Sequence, residues 1–249
     1  MMVNQKDNKQ WWYIGIAMLI GIIIMGYKTY TYFIPVTAEF IAEKIPDVVY
    51  EEIGEASLNS FDQETFSPTE LNEHEQDKVQ QAYDELITTL ALPPEKFKLF
   101  FRNFDGKVNA FALMDGSMVV SDALVKNLND PALIQAVLLH EMGHIEHNHL
   151  MENTIRVSLF YIILSMVFGD ISVVSDLLIE GSTHGLQISY SREMETEADL
   201  YAVEKLNILF GDASAMKEAL IIIHEQNDEH DDNWLSTHPT LVERIKNTH

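Results

Sequence analysis

The chain contains no cysteine. That excludes a disulfide scaffold, thiolate metal sites, a cysteine nucleophile and a lipid-modified N-terminal cysteine. Any transition-metal site must be built from the ten histidines and the acids. Basic residues are also scarce: 16 Lys and Arg stand against 39 Asp and Glu, a formal net charge of −23. So acidic a surface repels phosphate, which excludes nucleic acid as a partner and electrostatic docking on anionic lipid. Apolar residues make up 47% of the 249 and charged residues 22%, a composition that fits one or two globular domains rather than disorder, collagen or a coiled-coil rod.

One long apolar run is present. Trp11 to Ile34 carries a single charge, Lys28. As a helix it is about 36 Å long, enough for a hydrocarbon core of about 30 Å. Trp11, Trp12 and Tyr13 at one end, and Tyr27, Tyr30, Tyr32 and Phe33 at the other, form an aromatic belt at each interface. The alternative is a cleaved signal peptide with its apolar region at Ile14 to Met25, but the cleavage signal near Val36-Thr37-Ala38 is poor. Lys6, Lys9 and the amino group precede the run, and the acidic bulk follows it. By the positive-inside rule residues 1–10 are a cytoplasmic tail, residues 11–34 a single signal-anchor, and the rest is exported.

Residues 35–75 are acidic, and form either a stalk or the first helices of the domain. Phe40, Ile41, Ile45, Val48, Val49 and Ile53 suggest an amphipathic helix broken near Pro46. The domain proper is expected at 76–249. A helix is expected from Asn72 to Leu90, where Val79, Ala82, Tyr83, Leu86, Ile87 and Leu90 recur at helical spacing. Phe97–Phe104, Val108–Leu113 and Met118–Val120 read as strands, with turn pairs Asp105-Gly106 and Asp115-Gly116 between them. This predicts a small antiparallel meander ahead of the main helices. Asp130-Pro131 caps and opens a helix running to about His149. Val157–Phe168 is too short an apolar run to cross a bilayer, and reads as a buried helix or one dipping into the membrane surface. Further helices are expected over about Gln187–Leu206, from Asp212 to about Glu225, and after a capping box at Thr240 and Glu243. Asn227–Asn233 reads as an acidic, solvated loop.

The chemistry lies at His140-Glu141-Met142-Gly143-His144, an HExxH pattern inside a helix. Residues one turn apart leave the same face, so both imidazoles can grip one ion. Glu141 lies about 100° round the helix, beside the open position of that ion, where its carboxylate can take a proton from water. Ala136 to Leu139 make the helix a buried one, in which bare His and Glu are costly without a partner. A catalytic zinc needs a third protein ligand. Candidates are His147, His149, Glu180, Glu193, Glu195 and Glu197. His147 and His149 read as ordinary helix-end residues, favoured there by the helix dipole. Glu195 and Asp199 share one face of a second helix: the first can ligate zinc while the second holds a ligand imidazole. Glu193 and Glu197 point elsewhere and read as solvated.

HExxH followed about fifty residues later by Ser191-Arg192-x-x-Glu195-x-x-x-Asp199 resembles the HtpX-like and CAAX-prenyl-protease-like gluzincins, metallopeptidase family forty-eight. Asn109-Ala110-Phe111-Ala112 and Val119-Val120-Ser121 look like that family's NAFA segment and following strand. Ser236-Thr237-His238-Pro239 with Arg244 looks like its C-terminal element. The likeness covers about Asn109 to Ile245. A single anchor with an exported domain is closest to the periplasmic quality-control members.

The resemblance implies an α+β, mainly helical, zincin-like domain behind a transmembrane helix. It implies one zinc ion per chain held by His140, His144 and Glu195, with Glu141 as general base. Asp199 becomes the orienting carboxylate, His238 a transition-state donor or a latency ligand over the metal, and Arg192 and Arg244 partners of buried carboxylates, with a plain surface residue the alternative for Arg244. Substrate binding falls to Asn109, Ala110, Phe111 and Ala112. Val108–Leu113 or Met118–Val120 is expected to be an exposed strand edge that adds the substrate as a further strand. The expected activity is zinc-dependent endoproteolysis of unfolded or misfolded exported or membrane proteins, at a bacterial inner membrane with the catalytic domain on the periplasmic side. The competing reading is a latent or non-proteolytic zinc-containing chaperone or assembly factor.

Overall fold

The computed structural model describes residues 5–168 and 190–227, together with 238 and 244. The expected acidic loop, the final capping box and Glu180 lie outside these residues.

Helix α1 (Gln5–Lys28) passes through a π-helical turn (Thr29–Phe33) into α2 (Ile34–Ala42). The stretch Trp11–Ala42 is long and apolar enough to cross a membrane. Pro46, extended at ψ 145°, separates α2 from α3 (Asp47–Glu64), so the break falls where the proline predicts. After β1 (Ser67–Pro68), α4 (Glu73–Thr89) starts at a capping box: the Asn72 side chain accepts from the Glu75 amide at 3.0 Å, and Glu75 accepts from the Asn72 amide at 2.9 Å.

Strands β2 (Lys98–Asn103), β3 (Ala110–Ala112) and β4 (Ser117–Ser121) lie near their expected positions, but the sheet is mixed rather than an antiparallel meander. Its order is β1-β2-β4-β3, with β2 and β4 parallel and β3 antiparallel to β4. Asp115-Gly116 makes the expected hairpin, with Gly116 at φ 81°. Asp105-Gly106 turns the chain at φ 54° and 82°, yet the following segment carries it past β4 to the far edge. All five residues of β4 are buried, between the main core on one face and a second apolar cluster on the other. Met118 and Val120 face the main core, while Val119 joins Phe61, Phe66, Phe104 and Phe111 on the other face. Helix α3 thus packs on the sheet through Phe61.

Helix α5 (Asp122–Asn127) leads to α6 (Pro131–Glu146), which is capped by Asp130 accepting from the Ala132 amide at 2.9 Å. Every residue of α6 from Leu133 to Ile145 is buried. It ends earlier than expected because Asn148 adopts the left-handed conformation at φ 54°. Helix α7 (His149–Phe168) starts at once and is longer than the apolar run implied. It is not a buried helix: Val157, Ile162, Met166 and Val167 are exposed, and His149–Val167 also has the length and composition of a membrane span. It packs against α2, and Phe160 meets Tyr30 edge-on at 5.6 Å. Helix α8 (Arg192–Phe210) is capped by Ser191, ends at Gly211 and packs along α6. Helix α9 (Ser214–Asn227), opened by Asp212, closes the other side of α6.

Candidate metal centre

Two helices build the centre. From α6, His140 and His144 project one turn apart with their Nε2 atoms 3.1 Å from each other. From α8, Glu195 reaches them with Oε2 at 3.7 Å from His140 Nε2 and Oε1 at 3.6 Å from His144 Nε2. Donors around a tetrahedral zinc at about 2.0–2.1 Å stand about 3.3–3.4 Å apart. The observed spacings bracket that value, and the three groups are of the types zinc accepts. His238 joins them, its Nδ1 at 2.9 Å from Glu195 Oε1 and 3.3 Å from His140 Nε2. All four donors lie within 4.8 Å of one another and all four residues are buried.

The surroundings suit a cation bound by neutral imidazoles. Burial, then the Arg244 charge, push His140 down from its usual range, and burial with the neighbouring histidines pushes His144 down further. Burial alone would raise the Glu195 carboxyl, but His238 and Arg244 hold it below the usual glutamate range. Asp199 stands behind His140, with Oδ1 3.0 Å from Nδ1. Arg244 grips Asp199 through Nε at 2.8 Å and Nη2 at 2.7 Å, and its Nη1 contacts Glu195. Glu141 is fully buried, with Oε1 3.6 Å from His238 Nε2.

The residues singled out in the sequence divide clearly. His140, Glu141, His144, Glu195, Asp199, His238 and Arg244 come together in one buried cluster. Arg192 stays outside it, exposed on the first turn of α8. Ala110, Phe111 and Ala112 form β3 at the edge of the sheet, and the Asn109 amide donates to Ser121 Oγ at 2.9 Å. The expectation of an exposed edge fails on two counts: Met118–Val120 is interior, and the three residues of β3 are buried although they are at the edge. They lie between α6 on one face and the phenylalanines around Phe61 on the other. A narrow cleft lies beside them, lined by Tyr50, Ala112, Leu113, His144, Asn148 and Tyr190.

His147 caps the end of α6 and is exposed, as a helix-end residue should be. His149 is not such a residue. It opens α7 and lies buried behind His144, because the left-handed turn at Asn148 folds the chain back. Glu197, read as pointing away, meets His149 at 3.1 Å. Tyr190 was not singled out: its ring stacks on His144 at 3.9 Å and 22°. No local signal marks it, since Glu195 rather than an apolar residue stands where a residue ahead of the Ser191 cap would pack.

Comparison with known proteins finds proteases among the relatives of this chain. A plant protein, the mitochondrial metalloendopeptidase OMA1 of Arabidopsis thaliana, is 31% identical over 139 residues, 56% of this chain and 28% of its own length. The beta-barrel assembly-enhancing protease of Escherichia coli K12 is 26% identical over 161 residues, 60% of this chain and 33% of its own. A putative beta-barrel assembly-enhancing protease of Vibrio cholerae is 25% identical over 159 residues, 59% of this chain and 33% of its own. The chain thus spans about a third or less of these relatives. Residues 73–249 match Peptidase family M48, and the chain belongs to that family.

Proposed function

We propose that this chain is a zinc-dependent endopeptidase acting on unfolded or misfolded exported or membrane proteins. The observation that carries the reading is the buried meeting of His140, His144 and Glu195, with Glu141 beside it. Membership of a peptidase family supports it. Zinc, when held by these three residues, supplies Lewis acidity that makes water acidic near neutral pH and favours oxyanion charge. Glu141 takes a proton from the attacking water and hands it to the leaving amine. Asp199 keeps His140 turned toward the centre, and Arg244 offsets part of the Asp199 and Glu195 charge in a site without bulk water. A polypeptide binds extended beside β3 only once that buried edge is uncovered, next to the narrow cleft that Ala112 and Tyr190 line.

Residues 11–34 anchor the chain in a bacterial inner membrane, with the domain on the periplasmic side. Lys6 and Lys9 ahead of the apolar run support this orientation. Helix α7, lying against the anchor through Phe160 and Tyr30, dips its exposed apolar face into the same bilayer. Two bacterial relatives are named for enhancing β-barrel assembly, which favours envelope proteins as substrates.

Two observations favour a closed resting state. His238 lies among the donors as a fourth ligand, and the residues of β3 are buried. The chain is then latent until a substrate or partner displaces His238 from the donors. The test of the main reading is casein cleavage by the detergent-solubilised full chain. Chelation should abolish cleavage and added zinc restore it; cleavage indifferent to the chelator would overturn the reading.

A further inference from the structure

The two imidazoles of the HExxH helix are braced from behind in different ways. His140 has Asp199 directly at its Nδ1. His144 turns Nε2 to the centre, and its Nδ1 lies 3.0 Å from Nδ1 of His149. The other nitrogen of His149, Nε2, lies 3.1 Å from Oε2 of Glu197. Proton positions follow from this chain of contacts. An imidazole that gives Nε2 to a metal keeps its proton on Nδ1, so His144 donates to His149. With Nδ1 of His149 accepting, its proton resides on Nε2 and is donated to the Glu197 carboxylate. A single tautomer pattern satisfies both contacts. The same two-contact chain fixes the rotation of the His144 ring, whose face is covered by Tyr190.

We propose that His149 is a positioning residue. It accepts from His144, is oriented by Glu197, and holds His144 in the tautomer and rotation that a metal requires. The left-handed turn at Asn148 makes this possible by returning the chain to the back of α6 one residue before α7 begins. Each ligand imidazole therefore ends on a carboxylate of α8: His140 on Asp199 directly, His144 on Glu197 through His149. The proposal rests on His144 being a zinc ligand.

The test measures zinc affinity of the full chain by chelator competition, beside the thermal midpoint of the metal-free protein. His149→Leu fills the space but cannot accept, and should weaken zinc binding about 10–100-fold. His149→Asn sets an amide oxygen where Nδ1 lies, and should recover most of that loss. Glu197→Ala should weaken binding several-fold with an unchanged midpoint, since this side chain is 56% exposed. The proposal is overturned if Glu197→Ala or folded His149→Leu binds zinc like wild type, or if His149→Asn loses as much as His149→Leu. A second zinc equivalent in wild type, abolished by Glu197→Ala, would also overturn it. That result would make His147, His149 and Glu197, whose donor atoms lie within 4.8 Å, a metal site of their own. His144→Ala is the control: unchanged zinc there would refute the ligand set itself, not the tether alone.

Discussion

Gly143 on α6 faces Ala198 on α8 so closely that a Cβ on the glycine would lie 2.9 Å from the alanine Cα and 3.1 Å from its carbonyl oxygen. This pair of small residues sets the distance between the two helices of the centre. Gly143 precedes His144, and Ala198 lies between Glu195 and Asp199. The close crossing therefore brings carboxylates from one helix to imidazoles of the other.

Gly143→Ala must push backbone against backbone, because no flexible side chain is there to yield. Overpacking of this kind costs about 1–3 kcal/mol. The thermal midpoint should fall, and zinc affinity should fall with it as Glu195 withdraws. Calorimetry with zinc checks both. Unchanged zinc affinity in a destabilised variant would show that helix spacing does not control the site.

Asp199 offers a test by pH. Burial by itself would push its carboxyl up, but hydrogen bonds from His140 and Arg244 outweigh this and hold it well below the usual aspartate range. A carboxyl lowered in the folded state contributes stability that is present above its unfolded value of about 3.9 and is lost as pH falls through the folded value. Denaturant midpoints of the metal-free protein should therefore drop on acidification below about pH 4, and drop less in Asp199→Asn. Arg244→Leu leaves the Asp199 and Glu195 carboxylates uncompensated and should cost about 3–5 kcal/mol near neutral pH. Equal acid profiles for wild type and Asp199→Asn would contradict the assignment.

His238→Ala separates the two roles open to that residue. With His238 a fourth ligand at rest, its removal should raise basal casein cleavage several-fold while zinc stays bound by three residues. A loss of cleavage with zinc retained would instead make His238 a donor to the transition state.

Much of the centre was legible because its signals are local. Two histidines one turn apart, and Glu195 and Asp199 one turn apart, declare a shared face wherever a helix forms. Asp130-Pro131 marked a helix start in the same way. The sheet was less legible, since the parallel pairing of β2 with β4 is non-local and Asp105-Gly106 suits a hairpin and an open turn equally. His149 was misread for a conformational reason: one left-handed residue, Asn148, decides whether it prolongs α6 or opens α7 behind His144. The exposed length of α7 was missed because its first polar turns, His149 to Arg156, hid their continuity with the apolar run.

Glu141→Gln keeps the shape of the side chain and removes its basicity. Zinc content should stay at one per chain while casein cleavage falls by at least about a hundredfold, in the range expected of a lost general base. Retained cleavage would require another group to accept the proton.

Zinc stoichiometry of purified wild type and Glu195→Ala, measured side by side by elemental analysis, tests most directly whether the two helices share one ion. Wild type should carry one zinc per chain and Glu195→Ala a small fraction of that. Equal zinc in both proteins, or none in wild type, would contradict a centre built from His140, His144 and Glu195.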